Sequence, residues 1–109
     1  VQGIPVCFDA KECHASAFPM ANVHEHQIVF MEDFERQGGI AFLLIYFAQE
    51  NTYYYMRFKE LVKFWNRSKT GRSKSVKFQE LDMDYIISVK GYYIQYLPLL
   101  QKDLDSREE

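Results

Sequence analysis

Strands and helices alternate along the chain in an order that predicts an α/β fold. Three observations carry this prediction. Residues Val6–Cys13 alternate apolar and polar side chains, a helical pattern with a glycine pair at its end follows, and Ile40–Phe47 is continuously apolar. Alternation with a period of two is typical of a strand, and a continuous apolar run is typical of a strand covered on both faces. The predicted order is strand, helix, strand, strand, helix, strand, helix.

The first helix is predicted from its caps and from its apolar face. Asn22 is a good N-cap residue, Glu25 stands in the capping-box position, and glycines end the helix after Gln37. Gln27 is the one polar member of the apolar stripe, so it is expected to face the sheet. The predicted stripe comprises Val23, Gln27, Phe30, Met31 and Phe34.

The later elements follow from local composition. A turn at Gln49–Asn51 predicts a hairpin between the apolar strand and the next one. The remaining predictions are a strand at Thr52–Met56, a helix at Phe58–Trp65, a basic loop at Arg67–Lys77, a strand at Tyr85–Val89 broken by Gly91, and a helix at Tyr96–Leu104.

Size and composition suit one compact domain. The chain has 109 residues, of which 48% are hydrophobic. Its longest apolar run, Ile40–Ala48, is far shorter than the roughly 18 to 20 residues that span a bilayer. The sequence shows no such run and no leader. Its two cysteines are expected on one strand, too far apart to pair. We therefore expect a cytoplasmic protein without a membrane partner.

Charge is concentrated in three blocks. Residues 1–56 carry a net charge of −5, residues 57–77 carry +7, and residues 78–109 carry −4. A basic middle segment fits a nucleic acid, and it fits a solvated helix face and loop equally well. If it binds DNA, we expect Arg67, Lys69, Arg72 and Lys74 to contact backbone phosphates.

The first strand carries the most informative chemistry. Asp9 and Lys11 project from the same face of a strand, and Gln27 on the next helix is expected to reach them. A carboxylate there can hold Mg²⁺, and a lysine beside it can position or deprotonate a water. The plain alternative is an exposed ion pair at the edge of the sheet.

Two other groups of side chains have weaker functional interpretations. His24 and His26 are two residues apart on a helix and should not share a face, so a zinc site is not expected, although His24 can approach a phosphate. The run at 53–55 is three tyrosines, which can stack on bases or fill the core. Packing in the core is the simpler interpretation.

The run from Phe8 to Ile45 resembles the core of RecU-type Holliday junction resolvases, members of the PD-(D/E)xK nuclease superfamily. The resemblance rests on an acid-Ala-Lys-Glu strand, a Ser-x-Phe-Pro stretch, a His-x-His-Gln helix and a glycine pair, and it extends over nearly the whole chain. The matching residues are 9–12, 16–19, 24–27 and 38–39.

The resemblance implies a homodimeric, Mg²⁺-dependent endonuclease that resolves four-way DNA junctions in recombination and repair. By similarity, Asp9 is a metal-binding acid, with Asp in place of the usual Glu, and the Ala10 carbonyl is a further ligand. Lys11 corresponds to the catalytic lysine, and Gln27 to the supporting glutamine of the helix. The implied fold is a restriction-endonuclease-like mixed sheet flanked by helices.

The chain departs from the family pattern at its start. The family's first metal-binding Asp precedes the acid of this strand by about a dozen residues, so this chain resembles the C-terminal part. One carboxylate anchors Mg²⁺ poorly, and the chain by itself is therefore expected to be inactive. The alternatives are a non-catalytic DNA-binding or assembly module on the same scaffold, or a related nuclease with another DNA substrate.

Overall fold

A mixed four-stranded sheet with helices packed against it forms the centre of the molecule. The computed structural model describes residues 3–88 and 97–107. The strands are β1 (Val6–Cys13), β2 (Ala17–Pro19), β3 (Ile40–Phe47), β4 (Thr52–Arg57), β5 (Ser75–Lys77) and β6 (Ile86–Ser88); the α-helices are α1 (Glu25–Arg36), α2 (Phe58–Lys69) and α3 (Leu97–Ser106).

The order of strands in the main sheet is β1-β3-β4-β6. Strand β1 runs parallel to β3, with Asp9 opposite Leu43. Strand β4 is antiparallel to both of its neighbours, and β3 and β4 form the predicted hairpin. The crossover from β1 to β3 contains α1, as expected for parallel strands. The α/β class with a mixed sheet flanked by helices is thus confirmed.

Strand β3 lies at the centre of the core. Seven of its eight residues are buried, and Tyr46 is the partial exception. On the neighbouring strand Tyr54 and Tyr55 are both inaccessible to solvent. These two rings therefore belong to the core, which removes them as platforms for base stacking.

The first helix starts later than predicted. Residues Met20–Asn22 form a 3-10 turn, so His24 and not Asn22 is the N-cap residue of α1. The apolar stripe is shifted as well, because Ile28 is buried while Phe30 is 60% exposed. The later start places Gln27 at the third position of the helix, where its side chain can bond the backbone of the cap.

The predicted basic loop is partly ordered. Helix α2 continues to Lys69 instead of ending at Trp65, and β5 pairs antiparallel with β2. Phe18 lies opposite Val76 in this pair, and both side chains are fully buried. Two short strands with one apolar contact each carry too little sequence signal to be predicted separately, and both were missed.

The C-terminal elements differ from the prediction in their limits. A 3-10 turn at Met83–Tyr85 precedes β6, so the sixth strand starts one residue later than expected. Val89, Gly91 and Tyr96 lie outside the described residues. Helix α3 extends two residues beyond Leu104, and no helix in the described ranges is long and apolar enough to cross a membrane.

Candidate catalytic site and basic groove

Asp9, Lys11 and Gln27 form one connected cluster between β1 and α1. The Lys11 Nζ atom lies 2.9 Å from Asp9 Oδ2. Gln27 donates from Nε2 to the same carboxylate oxygen at 2.6 Å, and its Oε1 lies 3.5 Å from Lys11 Nζ. The prediction that the strand presents both charged side chains on one face toward the helix glutamine is confirmed.

The start of α1 fixes the orientation of Gln27. The His24 backbone N–H donates to Gln27 Oε1 at 3.0 Å. With that oxygen occupied by donors, the amide nitrogen must turn toward Asp9, since an amide side chain has one acceptor end and one donor end. The helix cap and the charged cluster therefore share a single side chain.

The cluster borders an open pocket of about 350 Å³. Asp9 and Gln27 line it together with Phe8 and Phe30, whose side chains are 47% and 60% exposed. The apolar face of β1 that carries Phe8 is the more exposed one, and the face that carries the charged pair is partly buried. Asp9 is thus reachable from solvent, while the side chain of Lys11 is only 20% exposed.

The oxygen atoms near this pocket suit a hard cation only in part. Asp9 supplies one carboxylate, and Mg²⁺ in proteins is held by one or two carboxylates with water and phosphate oxygens. Glu12 points away from this face and pairs with His14 at 3.0 Å. Within residues 3–88 and 97–107 no three His, Cys, Asp or Glu side chains gather as a metal site.

The two histidines near the start of α1 lie closer together than predicted. Because His24 caps the helix from outside it, the rings of His24 and His26 stack with centroids 5.6 Å apart. His26 lines the pocket at Asp9, and His24 lines a second, larger concavity. The pair forms a ridge between the two.

That second concavity is a basic groove of about 550 Å³ between the start of α1 and the end of α2. Its walls include the predicted phosphate contacts Lys69 and Lys74 as well as Trp65, which ends the predicted helix Phe58–Trp65 and was not predicted to bind DNA. The groove joins segments about 45 residues apart in sequence, so no local pattern could reveal it. The only sign of this groove in the sequence is the tryptophan that precedes the run of basic residues.

Arg67 and Arg72 differ in their surroundings. The guanidinium of Arg67 pairs with Glu80 and donates to the Ser75 carbonyl at 2.9 Å. These bonds hold the segment that follows α2. The hydrogen bonds that Glu80 accepts, chiefly from Arg67 and then from the Lys77 N–H, lower the pKa of Glu80 from 4.5 to about 2. Arg72 is exposed. A contact between Arg67 and DNA stays a prediction, and it would compete with an existing ion pair.

A sequence profile described as Recombination protein U matches residues 1–102. The chain belongs to the RecU family. It is 35% identical over 96 residues to the Holliday junction resolvase RecU of Pediococcus pentosaceus, covering 87% of this chain and 45% of that protein. The RecU of Bacillus mycoides is 35% identical over 91% of this chain and 51% of its own length.

Oceanobacillus iheyensis has a Holliday junction resolvase RecU that is 40% identical over 71% of this chain and 40% of that protein. The chain therefore spans about half the length of the curated RecU relatives it matches. Both the pocket with Asp9 and the basic groove lie within the matched range.

Proposed function

We propose that this chain forms the catalytic half of an endonuclease that resolves four-way DNA junctions in recombination and repair. The observation that carries the proposal is the bonded cluster of Asp9, Lys11 and Gln27 beside an open pocket in a RecU-family chain. A strand that presents an acid and a lysine toward a helix glutamine fits the PD-(D/E)xK scaffold. The relatives' name, Holliday junction resolvase, supplies the substrate class.

The residues of the cluster have distinct roles in this proposal. Asp9 and the Ala10 carbonyl would hold Mg²⁺, which would supply an activated water and neutralise charge on the phosphate. Lys11 places a positive charge beside the carboxylate, where it would stabilise the negative charge that builds on the phosphodiester during attack. Gln27 keeps Asp9 in one orientation by donating to it.

Binding would use the basic surface next to the pocket. Lys69, Lys74, Arg72 and His24 are exposed, and three of these four line the groove beside the cluster. Such contacts hold the phosphate backbone without reading sequence. We further propose a single nuclease-like domain that acts as a homodimer, since two symmetric cuts need two sites, and that meets its DNA in the bacterial cytoplasm.

Replacing Lys11 by Ala in the full-length protein tests the proposal. Cleavage of a four-way junction in Mg²⁺ should fall by about 10²- to 10⁴-fold, because a positioned charge and proton-transfer group is lost. Junction affinity at fixed salt should stay nearly unchanged. The matched control is Lys102→Ala, which removes an exposed lysine of α3 that pairs with Asp84. Undiminished cutting by the Lys11 variant would contradict the assignment.

A non-catalytic DNA-binding module is the second candidate, because Asp9 is the one carboxylate found at this pocket among the described residues. Junction binding with a steep salt dependence but without Mg²⁺-dependent cutting would support it. A linear duplex in parallel reactions separates a junction resolvase from a nuclease with another DNA substrate.

A further inference from the structure

We infer that the basic groove is a subsite for one unstacked nucleotide of the DNA strand, with its base against Trp65 and its phosphate on Lys69 and Lys74. This inference rests on the proposed function and adds a substrate feature to it. The groove has about 550 Å³, within the range of pockets that hold small organic molecules. It is therefore large enough for a single nucleotide.

The aromatic wall is the first argument. Trp65 is partly buried against the core, yet it lines the groove, and the ammonium of Lys69 lies 4.5 Å from its ring centroid. The ammonium of Lys69, which also lines the groove, therefore lies over one face of the indole. A base could replace the ammonium on that face, since stacking on an aromatic ring accepts any base.

The charge of the lining is the second argument. Lys69, Lys74 and His24 line the groove against one acid, Glu25. When a base displaces the ammonium of Lys69 from the indole, that ammonium is free to pair with the phosphate of the same nucleotide. The Lys74 carbonyl accepts from the Met20 N–H at 2.9 Å, which fixes this wall relative to the turn before α1.

The position of the groove is the third argument. His24 lines it, and the backbone N–H of His24 bonds Gln27, which bonds the carboxylate of Asp9. A strand that places a phosphate at Asp9 would cross the ridge of two histidine rings and enter the groove directly. In a duplex each base is covered on both faces by its neighbours, so only an unstacked base can reach Trp65.

The fluorescence of Trp65 tests the inference directly, because it is the single tryptophan of the chain. Titration with a short oligothymidylate at fixed salt should quench it saturably, and a duplex of equal length should quench it much less. Equal quenching by both DNAs, or none by the single strand, would overturn the subsite. Neither result bears on junction cutting, which the Lys11 variant tests separately.

Variants give a second, independent measurement. Fluorescence anisotropy of a labelled oligothymidylate measures the affinity of each variant for single-stranded DNA. Trp65→Leu should weaken this affinity by roughly 5-fold or more, while the affinity for duplex DNA changes little. Lys69→Met should weaken single-strand binding more than Lys59→Met, which removes an equal charge from another part of α2. Circular dichroism verifies that each variant is folded. Equal losses for both lysine variants, or unchanged affinity after Trp65→Leu, would refute the inference.

Discussion

At the scale of single residues, Gln27 connects the helix cap to the charged cluster. Its Oε1 accepts from the His24 N–H, and its Nε2 donates to Asp9. An unsatisfied N–H at a helix start costs stability, while a carboxylate without its donor has more freedom to turn. One side chain therefore affects both the folding of α1 and the geometry of the site.

Replacing Gln27 by Ala should differ from an ordinary surface substitution in two measurements, the free energy of unfolding and the rate of cleavage. The free energy of unfolding in urea should fall by about 1 kcal/mol through loss of the cap, and cleavage should fall further than this stability loss explains. Gln37→Ala, at the exposed C-cap of the same helix, is the matched control. Gln27→Glu keeps an acceptor for the His24 N–H but puts a second carboxylate beside Asp9 in place of the donor, so its cleavage should be no higher than that of Gln27→Ala. Full activity in either Gln27 variant would contradict a positioning role.

The three residues of the cluster were predictable because strand and helix spacing alone fixes their positions. Asp9 and Lys11 are two apart on a strand, and Gln27 was the polar exception on an apolar helix face. The exact start of α1 was not predictable, since Asn22 is by residue type the better N-cap candidate, yet His24 takes that position. Only the 3-10 turn before it, bonded to Lys74, decides between them.

At the scale of elements, the short strands β2 and β5 and the ion pair between Arg67 and Glu80 order the wall of the groove. Glu80 accepts from Arg67 and from the Lys77 N–H at 2.8 Å. Local propensity did not predict this arrangement, because β2 and β5 are three residues each and lie far apart in sequence. Their stability comes from tertiary contacts that the sequence pattern does not show.

Glu80→Gln should show how much this ion pair contributes and at which pH. The pKa of Glu80 is lowered to about 2, chiefly by hydrogen bonds from Arg67. The stability that the ionised Glu80 contributes to the folded state is therefore present above pH 4.5 and is lost as pH falls from about 4.5 to about 2. At pH 7 the variant should lose about 1 kcal/mol or less, because the pair is partly exposed.

Urea unfolding of both proteins across this pH range measures the difference. Glu32→Gln, which breaks an exposed pair with Arg36 on α1, is the control and should change stability little at any pH. A stability difference that stays constant between pH 7 and the acid limit would show that Glu80 acts through something other than its charge.

At the scale of the whole molecule, a buried polar network attaches α3 to the rest of the fold. Asp103 is only 2% exposed, and it accepts from the Tyr55 hydroxyl at 2.6 Å and from Arg107. Arg107 also pairs with Glu35 of α1. Local composition predicted a helix at Tyr96–Leu104, but it gives no sign that Asp103 is buried, so this attachment could not be predicted.

Asp103→Ala should destabilise the protein by about 1 to 3 kcal/mol, since it leaves the buried Tyr55 hydroxyl without its acceptor, while Arg107 keeps its pair with Glu35. Tyr55→Phe removes one hydrogen bond and should cost about 1 kcal/mol. Urea unfolding measures both, with Asp105→Ala on the exposed side of the same helix as the control. If Asp103→Ala cost no more than Asp105→Ala, α3 would be held by the burial of Leu100 and Leu104 alone, and the network would be incidental to the fold.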